Sequence, residues 1–458
     1  MKHYNHRIFE KGETIAAVAT PPGEGAIAVI RISGASAIDL AARIFSGPVH
    51  RYKSHTAHFG QILDKDGRSI DSVLLLVMRA PKSYTGEETV EIHCHGGSIV
   101  TRRVMARILE AGARAAQPGE FSLQAFLNGK LDLAQAEAVQ QLIAAKNELA
   151  WQAAERQLQG SLSQKILEFQ RELTAVAAVL EAWVDFPEEG LEFTSMEELL
   201  AELDRTTENM KALQSTFHEG KTIHEGLSLC LLGSPNVGKS SLMNALLGKE
   251  RAIVTEIAGT TRDLLEDECM LSGLHFRLID TAGIRETEEV VEKEGIRRSK
   301  QAMQDADFIL LLLDASRRLT ENDRQLLTLA PGHKTIVVWN KIDLALPTET
   351  IEWDSVVSIS AREKFGFSEL RSAIDKIIWK QGAPNKEEVV ITQQRHFQAL
   401  SQAISSCEDV IHGLKQNLSP EFITSDLRHA LNELGTIIGL NVSEDILTAV
   451  FSKFCLGK

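Results

Sequence analysis

Cysteine is scarce in this sequence, and so are long apolar runs. The five cysteines are scattered and odd in number, which argues against a disulfide framework and for reduced thiols. The longest apolar run, Phe308 to Leu313, has the length of a strand and ends at Asp314, so we expect no membrane-spanning segment. The first 13 residues are polar and lack the apolar stretch of a secretory signal. We therefore expect a cytoplasmic protein with no membrane partner.

Positive charge is also in short supply. The chain has 49 Lys and Arg against 63 Asp and Glu, which gives a formal net charge of −14. Broad non-specific binding to nucleic acid is therefore not expected, although a local basic patch is compatible with this balance. The 458 residues are enough for two to four domains, and the 43% hydrophobic content is enough for sizeable cores.

Three kinds of sequence pattern follow one another along the chain. Short β-like runs separated by turns fill residues 14–125 and predict an α+β domain. Helical periodicity dominates from residue 131 to about 214 and returns after a polar link at 381–388. Between them, apolar runs alternate with helical stretches, which predicts a mostly parallel sheet with crossover helices. We therefore predict a helical domain interrupted by an α/β insert, with an N-terminal domain at 1–128, helical parts at 129–225 and 381–458, and the insert at 226–380.

A phosphate-binding motif opens the insert. Residues 233–240 read GSPNVGKS and match the pattern G-x-x-x-x-G-K-[ST] between a strand-like run and a helix-like run. The glycines let backbone N–H groups turn toward phosphate oxygens at a helix N-terminus. Lys239 can supply positive charge to the β- and γ-phosphates, and Ser240 can offer a hydroxyl ligand to Mg²⁺. The alternative is a Gly-rich turn without a ligand, and the motifs that follow argue against it.

Four further motifs follow, in the order typical of GTP-binding domains. The GTTRD run at 259–263 fits a switch I segment with Thr261 on Mg²⁺, and the DTAG run at 280–283 resembles the start of switch II. The NKID run at 340–343 chooses the base, because the Asp343 carboxylate can accept hydrogen bonds from guanine N1–H and the N2 amine. Together with a final SAR run, these motifs predict that GTP contacts Asn236, Val237, Gly238, Lys239, Ser240, Ser241, Thr255, Glu256, Ile257, Ala258, Gly259, Thr260, Thr261, Asp280, Thr281, Ala282, Gly283, Asn340, Lys341, Asp343, Ser360, Ala361 and Arg362.

The insert lacks one feature that Ras-like proteins use for hydrolysis. Ile284 stands where those proteins carry the glutamine that orients the attacking water, and no arginine finger is evident. The Asn236 amide could hold a monovalent cation that neutralises charge as an arginine finger does. The candidates for positioning the attacking water are Glu286, Glu288, Glu289, Glu292 and Glu294. For most of them we favour the alternative, a solvated helix face.

Motifs outside the insert are more specific. They are TPPG at 20–23, RISG at 31–34, YTGE at 84–87, HGG at 95–97, PGEF at 118–121 and the final C-x-G-K at 455–458. With them, the chain resembles the tRNA modification GTPase MnmE (TrmE) family over nearly its whole length. The resemblance implies a multidomain α/β and α+β fold, with an N-terminal α+β folate-binding domain, a discontinuous α-helical domain and an inserted Ras-like P-loop GTPase domain.

The resemblance also implies an activity and partners. It implies a homodimer joined through the N-terminal domains and a partnership with the flavoprotein MnmG, which carries FAD. The activity would be K⁺-dependent GTP hydrolysis that, with this partner, forms 5-aminomethyl or 5-carboxymethylaminomethyl uridine at the tRNA wobble position. The one-carbon unit would come from a tetrahydrofolate derivative in its 5,10-methylene or 5-formyl form.

Residue roles follow from the same resemblance. K⁺ would be surrounded by Asn236, Thr255, Ile257 and Thr260, and Mg²⁺ would be held by Ser240 and Thr261. Glu292 would be the catalytic glutamate, and Lys239, Asn236 and Cys455 are further catalytic candidates. The folate would contact Arg31, Glu91, Lys130 and Lys458, because its glutamate tail needs cations and its pterin N–H groups need a carboxylate.

Some alternatives stay open at this stage. Arg31, Glu91 and Lys130 could be surface charges, and Cys455 could be a reactive thiol near the folate or a small buried residue. Two other functions use the same motifs: a GTPase switch in ribosome assembly, and a folate-dependent one-carbon transferase regulated by GTP.

The His93-Cys94-His95 run resembles a metal site at first sight. Alternation along a strand sends Cys94 to the face opposite both histidines, and no fourth ligand is nearby in sequence. We therefore do not expect a metal at this run.

Overall fold

Two six-stranded sheets and a group of long helices make up the described part of the chain. The computed structural model describes residues 13–185, 195–247, 268–271, 273–279, 301–379, 389–416, 418, 420–455 and 457–458. Among the helices in these ranges, none has both the length and the apolar character that crossing a membrane requires.

The N-terminal domain is a sheet with helices on both faces. Its strands are β1 (Ile15–Val18), β2 (Ile27–Ser33), β3 (Thr56–Leu63), β4 (Ser69–Met78), β5 (Thr89–His95) and β6 (Arg114–Ala115), in the spatial order β3-β4-β5-β2-β1-β6. Its helices are α1 (Ala37–Ile44), α2 (Ser98–Glu110) and α3 (Glu120–Leu127). α1 and α2 share one apolar core with the sheet, whereas α3 places Phe121 against Ile15 and Ala17 on the other face.

Strand alternation decides which side chains of β5 face which layer. Val90, Ile92 and Cys94 are buried in the core beneath α1 and α2, so Glu91 and His93 point to the face that carries α3. The expectation that Cys94 points away from its histidine neighbours is therefore confirmed. Within the described ranges, no three His, Cys, Asp or Glu side chains are grouped as a metal site.

The first helical part follows directly. It consists of α4 (Leu133–Ala144), α5 (Glu148–Leu158), α6 (Ser161–Asp185), α7 (Met196–Ser215) and α8 (Phe217–Glu225). α4 begins at a capping box, in which the Asp132 carboxylate accepts from the Gln135 N–H at 2.8 Å. Ser195 and Glu198 form the same arrangement at the start of α7. These boxes satisfy backbone donors that a helix start leaves unpaired, so each helix begins where its cap residue stands.

The insert has the mostly parallel sheet that its apolar runs predict. The strands are β7 (Leu227–Leu232), β8 (Glu268–Leu271), β9 (Leu274–Ile279), β10 (Phe308–Asp314), β11 (Thr335–Asn340) and β12 (Val356–Ser358), in the order β12-β11-β10-β7-β9-β8. Only the β8–β9 pair is antiparallel. The described helices of the insert include α9 (Lys239–Leu247), α10 (Glu321–Leu329) and α11 (Phe367–Ile378), and residues 301–305 are helical as well.

The chain leaves and re-enters the helical domain at neighbouring points. The second helical part contains α12 (Gln394–Lys415), α13 (Pro420–Ile438) and α14 (Glu444–Phe451). Just before it, the Ile391 N–H donates to Thr216 Oγ1 at 3.0 Å, and a Cβ on Gly220 would lie 2.2 Å from the Ile391 carbonyl oxygen. This close approach brings the two ends of the insert side by side, as an insertion requires.

One apolar core joins the two helical parts. It contains Phe169 and Leu173 of α6, Leu203 of α7, Leu400 of α12 and Leu427 of α13, all at most 1% exposed. The predicted fold class is therefore confirmed, including the interruption of the helical domain by an α/β insert. The numbered domain boundaries stay a prediction.

A buried ionic cluster also connects the two parts. Glu137 of α4 accepts from Arg395 Nη2 at 2.8 Å, and its Oε2 lies 2.7 Å from His396 Nε2. Glu137 and His396 are 8% and 0% exposed, so neither polar group has water as a substitute partner. Burial raises the pKa of Glu137, but the charge and hydrogen bonds of His396 and Arg395 outweigh it and lower the pKa to about 2.

This cluster makes the stability of the helical domain depend on pH. Because the folded-state pKa of Glu137 lies below its ordinary value of 4.5, its contribution is complete above that value and is lost as pH falls toward 2. We predict that Glu137→Gln lowers the free energy of unfolding by about 3 kcal/mol at pH 7, since it breaks a buried pair. The difference from the wild type should shrink by about 1 kcal/mol at pH 4.

Urea unfolding followed by far-ultraviolet circular dichroism at both pH values measures this difference. Asp409→Asn is the control, because it removes an exposed carboxylate from the same helix as His396. A difference between wild type and Glu137→Gln that stays constant from pH 7 to pH 4 would contradict the prediction.

Candidate functional site

The phosphate-binding motif forms the turn between β7 and α9. Its backbone has positive φ at Gly233 (148°), Asn236 (62°) and Gly238 (100°). A Cβ on Gly233 would lie 2.4 Å from the Leu312 carbonyl oxygen, and one on Gly238 would lie 2.2 Å from Asn340 Nδ2. Both positions therefore need glycine for space as well as for conformation. The resulting loop lies at the carboxyl end of the sheet, where open α/β sheets bind ligands.

Apart from the buried Ser234, the polar side chains of this loop are available to a ligand. Lys239 Nζ donates to the carbonyl oxygens of Gly233 at 2.6 Å and Ser234 at 3.0 Å, so its ammonium group lies over the loop. Burial lowers the pKa of Lys239, and the charge of Asp323 opposes that effect. The remaining predicted residues of the loop divide into exposed Asn236, Ser240 and Ser241 and buried Val237.

Asn340 joins three of the predicted motifs. Its Nδ2 donates to the Val237 carbonyl at 2.8 Å, and its Oδ1 accepts from the Ala361 N–H at 3.0 Å. Asn340 is 2% exposed, so both bonds are buried and neither is replaced by water. This side chain therefore fixes the phosphate loop and the segment at 360–362 relative to the end of β11.

The predicted base-recognition segment, residues 340–343, leaves Asp343 open to solvent. Asp343 is exposed, and Arg362 is 82% exposed, whereas Ser360 is buried and its Oγ accepts from the Glu363 N–H at 3.1 Å. Lys341, which the sequence predicts to contact GTP, forms an ion pair with Asp314, with Nζ 2.6 Å from Oδ2.

Asp314 was not anticipated from the sequence. Burial raises the pKa of its carboxyl, but hydrogen bonds from Lys341 and Ser316 outweigh that effect and lower it. The carboxylate therefore stays charged and anchors Lys341. The only sequence signal for it is its place at the end of the most apolar strand of the insert.

The other predicted nucleotide and ion contacts lie outside the described residues. They are Thr255, Glu256, Ile257, Ala258, Gly259, Thr260, Thr261, Asp280, Thr281, Ala282, Gly283 and Glu292, together with Ile284, Glu286, Glu288, Glu289 and Glu294. Their assignments stay predictions.

A second group of predicted residues meets on the α3 face of the N-terminal sheet. Arg31 of β2 is paired in register with Glu91 of β5, and its Nε donates to Glu91 Oε1 at 2.9 Å. Their side chains are 15% and 14% exposed, so the alternative that they are surface charges is wrong for this pair. The Arg31 guanidinium lies 5.4 Å from the Tyr84 ring centroid and 5.7 Å from that of Phe121.

The two aromatic rings are residues that sequence reasoning missed in this role. Tyr84 and Phe121 belong to the YTGE and PGEF motifs, but their spacing gives no sign that they flank one guanidinium. Between them, the buried Arg31 Nη1 has no hydrogen-bond partner in the described part of the chain. An unsatisfied buried donor is costly, so this atom is available to an acceptor on a ligand.

Lys458 reaches the same cluster from the other end of the chain. A Cβ on Gly457 would lie 2.6 Å from the Val18 carbonyl oxygen, and the Lys458 carbonyl accepts from the Phe121 N–H at 3.3 Å. Its Nζ is 6.0 Å from the Tyr84 ring centroid. Burial lowers the pKa of Lys458, the charge of Arg31 adds to this, and Glu91 opposes it.

Lys130 and Cys455 differ from the other predicted residues. Lys130 is exposed, and its Nζ donates to the Pro81 carbonyl at 3.3 Å, so it is a surface charge beside the loop that carries Tyr84. Cys455 is exposed as well, which makes the alternative of a small buried residue wrong. Its neighbours Phe454 and Gly457 fill the buried positions instead, and the reactive-thiol role of Cys455 stays a prediction.

Comparisons with known proteins agree with this arrangement of domains. Residues 14–130 match the family model described as the GTP-binding protein TrmE N-terminus, and residues 133–455 match the one described as the MnmE helical domain. The chain is 60% identical to the tRNA modification GTPase MnmE of Protochlamydia amoebophila over 456 residues, covering 99% of each chain. It is 42% identical to that of Clostridioides difficile, covering 97% of this chain and 99% of the relative. The chain therefore belongs to the tRNA modification GTPase MnmE family.

Proposed function

We propose that this chain hydrolyses GTP in the modification of tRNA. The observation that carries the proposal is Asn340, whose two buried hydrogen bonds hold the phosphate loop beside the segments for the guanine base. One nucleotide can therefore span the exposed hydroxyl of Ser240 and the exposed carboxylate of Asp343. The family supplies the second half of the proposal, since its relatives are named for tRNA modification.

Asp343 would choose guanine by matching two donors with one carboxylate. Guanine presents N1–H and the N2 amine on the same edge, and a carboxylate can accept from both. Adenine has neither donor there, so ATP would leave the carboxylate desolvated and unpaired. The ion pair with Asp314 holds the Lys341 ammonium group at the end of β10, and the aliphatic stem of Lys341 can then cover the base.

We predict that Asp343→Asn changes the base preference of the site. The new amide presents a donor where guanine also presents one, so GTP affinity should fall about 100-fold. XTP has a carbonyl at C2, so it should bind the variant more tightly than it binds the wild type. Competitive titration against a fluorescent GDP measures both affinities. Asp354→Asn, in the loop between β11 and β12, is the control. Unchanged GTP affinity in Asp343→Asn would remove Asp343 from the base pocket.

The phosphate loop also suits the cations that the resemblance implies. Asn236 is exposed and has a positive φ in this loop, and Ser240 is exposed at the start of α9. Mg²⁺ would be held by Ser240 and Thr261, and K⁺ by Asn236 with Thr255, Ile257 and Thr260. A bound K⁺ would supply the positive charge that an arginine finger supplies in other GTPases. Glu292 would position the attacking water, since Ile284 cannot form a hydrogen bond.

GTP turnover should therefore depend on the monovalent cation. We expect hydrolysis to be fast in K⁺ and slow in Na⁺ and Cs⁺ at equal ionic strength, because a cage of fixed size selects an ionic radius. Asn236→Ala should lose the K⁺ stimulation, and Glu292→Ala should lose turnover but keep GTP binding. Removal of an arginine finger slows related enzymes about 10³- to 10⁵-fold, which sets the scale of the loss. Equal turnover in all three salts rules out this ion mechanism.

The N-terminal cluster fits a reduced folate. Arg31 and Lys458 bring two cations, and Glu91 brings a carboxylate, to a ligand that carries both negative carboxylates and pterin N–H groups, and Tyr84 and Phe121 offer aromatic surfaces. We propose that this site binds a tetrahydrofolate derivative and that Lys130 contacts it from the rim. The further steps of the proposal are a homodimer, the flavoprotein partner MnmG with its FAD, and the C5 atom of the tRNA wobble uridine as acceptor.

Arg31→Ala tests the folate site and its link to tRNA together. Calorimetry with a 5-formyl folate should show at least tenfold weaker binding, because a buried charge-assisted partner is lost, while GDP affinity stays unchanged. In a deletion strain, wild-type chain should restore the modified wobble uridine and Arg31→Ala should not. Arg102→Ala, an exposed arginine of α2, is the control. Normal wobble uridine with impaired ribosome assembly in the deletion strain would favour the ribosome-assembly alternative instead.

A further inference from the structure

A buried polar network lies directly behind the phosphate loop. Ser234, the second residue of the loop, is 4% exposed, and its Oγ donates to Asp323 Oδ1 at 2.6 Å. Asn322 Nδ2 donates in turn to Ser234 Oγ at 2.8 Å. Asp323 belongs to α10 and is only 1% exposed. The loop is therefore tied, by a charge-assisted hydrogen bond, to a carboxylate 89 residues away in sequence.

The Asp323 carboxylate also caps the start of α10. Its Oδ2 accepts from the Thr320 N–H at 2.9 Å and from Thr320 Oγ1 at 2.7 Å, which is one half of a capping box. Burial raises the pKa of Asp323, but the bonds from Ser234 and Thr320 outweigh it and lower the pKa. Asp323 is thus a charged group with one oxygen bonded to the phosphate loop, at Ser234, and the other bonded to the start of α10, at Thr320.

Arg317 extends this network toward the base. Its Nη2 lies 3.5 Å from Asp323 Oδ2, and its Nε lies 3.7 Å from Asp314 Oδ2. Asp314 is the partner of Lys341 in the base-recognition segment. Side chains of alternating charge therefore connect the phosphate half of the site with its base half.

We propose that Asp323 is a positioning residue of the nucleotide site, which holds the phosphate loop in its binding conformation through Ser234. The inference rests on the proposed nucleotide site and deepens it. The loop contains three residues with positive φ, and its exposed side chains do not fix it. Its N–H groups must point at the phosphates before the ligand arrives, since each misdirected donor weakens binding.

Ser234 is also one of the two residues whose carbonyl oxygens hold Lys239, the other being Gly233. Its carbonyl accepts from Lys239 Nζ at 3.0 Å, while its hydroxyl is held by Asp323. Releasing the hydroxyl frees one of the two residues whose carbonyl oxygens hold the ammonium group of Lys239. Loss of the Ser234–Asp323 bond should therefore affect contacts with the β-phosphate and leave base recognition intact, because Asp343 and Asn340 do not bond to Ser234.

The test compares GDP with GMP, which lacks the β-phosphate, in the full chain. Ser234→Ala removes the Ser234–Asp323 bond, here called the tether, but leaves the Thr320–Asp323 cap. We expect this variant to bind GDP about tenfold more weakly and to bind GMP with an affinity within about twofold of the wild type. Thr320→Ala removes the cap but leaves the tether, and it should change neither affinity by more than about twofold. Glu321→Gln, an exposed carboxylate on the same turn of α10, is the control.

A double variant measures whether the two residues act together. Combining Ser234→Ala with Asp323→Asn should weaken GDP binding by clearly less than the product of the two single effects, because Ser234→Ala removes the same charge-assisted bond that Asp323→Asn weakens. Melting temperatures of all variants identify any that are unfolded, and Asp323→Asn then serves in place of Ser234→Ala.

The outcomes separate the tether from the site itself. Unchanged GDP affinity in Ser234→Ala, or an equal loss for GDP and GMP, overturns the positioning role of Asp323. Lys239→Ala reports on the proposed nucleotide site. If this variant also leaves GDP binding unchanged, the assignment of the site is wrong. If Lys239→Ala weakens GDP binding and Ser234→Ala does not, the site assignment stands and only the tether is rejected.

Discussion

The helical domain depends on one buried carboxylate, that of Glu137. The two parts of this domain are separated in sequence by an entire α/β insert, so no local propensity can bring α4 and α12 together. Apolar packing of the long helices supplies most of the attraction, but apolar contact alone tolerates sliding. The bonds from Arg395 and His396 to Glu137 require one register, since any other would leave a charged group buried without its partner.

That register determines where the insert sits. The chain enters the insert from α8 and returns at Ile391, and the bond from Ile391 to Thr216 fixes the distance between these two points. Ala150 and Ile223 of the helical domain pack into the core of the insert beside Leu229, so the α/β sheet rests on helices rather than on a free linker. A change of shape at the nucleotide site therefore has a packed path to the helices.

Much of the site could be predicted from the sequence because its parts are local. A phosphate loop needs glycine at positions of positive φ next to a helix start, and Gly233 and Gly238 meet that need within six residues. The Asn340–Asp343 segment could be found for the same reason. The groups that hold these parts in place could not be found in this way. Asp323 bonds to Ser234, 89 residues away, and Asp314 bonds to Lys341, 27 residues away, and no spacing rule connects either carboxylate to its partner.

The N-terminal site shows the same limit more strongly. Arg31 and Glu91 are 60 residues apart, and they meet because β2 and β5 pair with one particular register. If one of the two strands slipped by one residue, its charged side chain would turn into the apolar core beneath α1 and α2 and leave the other charge without its partner. Lys458 then arrives from the far end of the chain, after α14, and its carbonyl bonds to Phe121 of α3. The cluster is therefore complete only when the helical domain has closed, so the proposed folate binding would depend on the same register that Glu137 fixes.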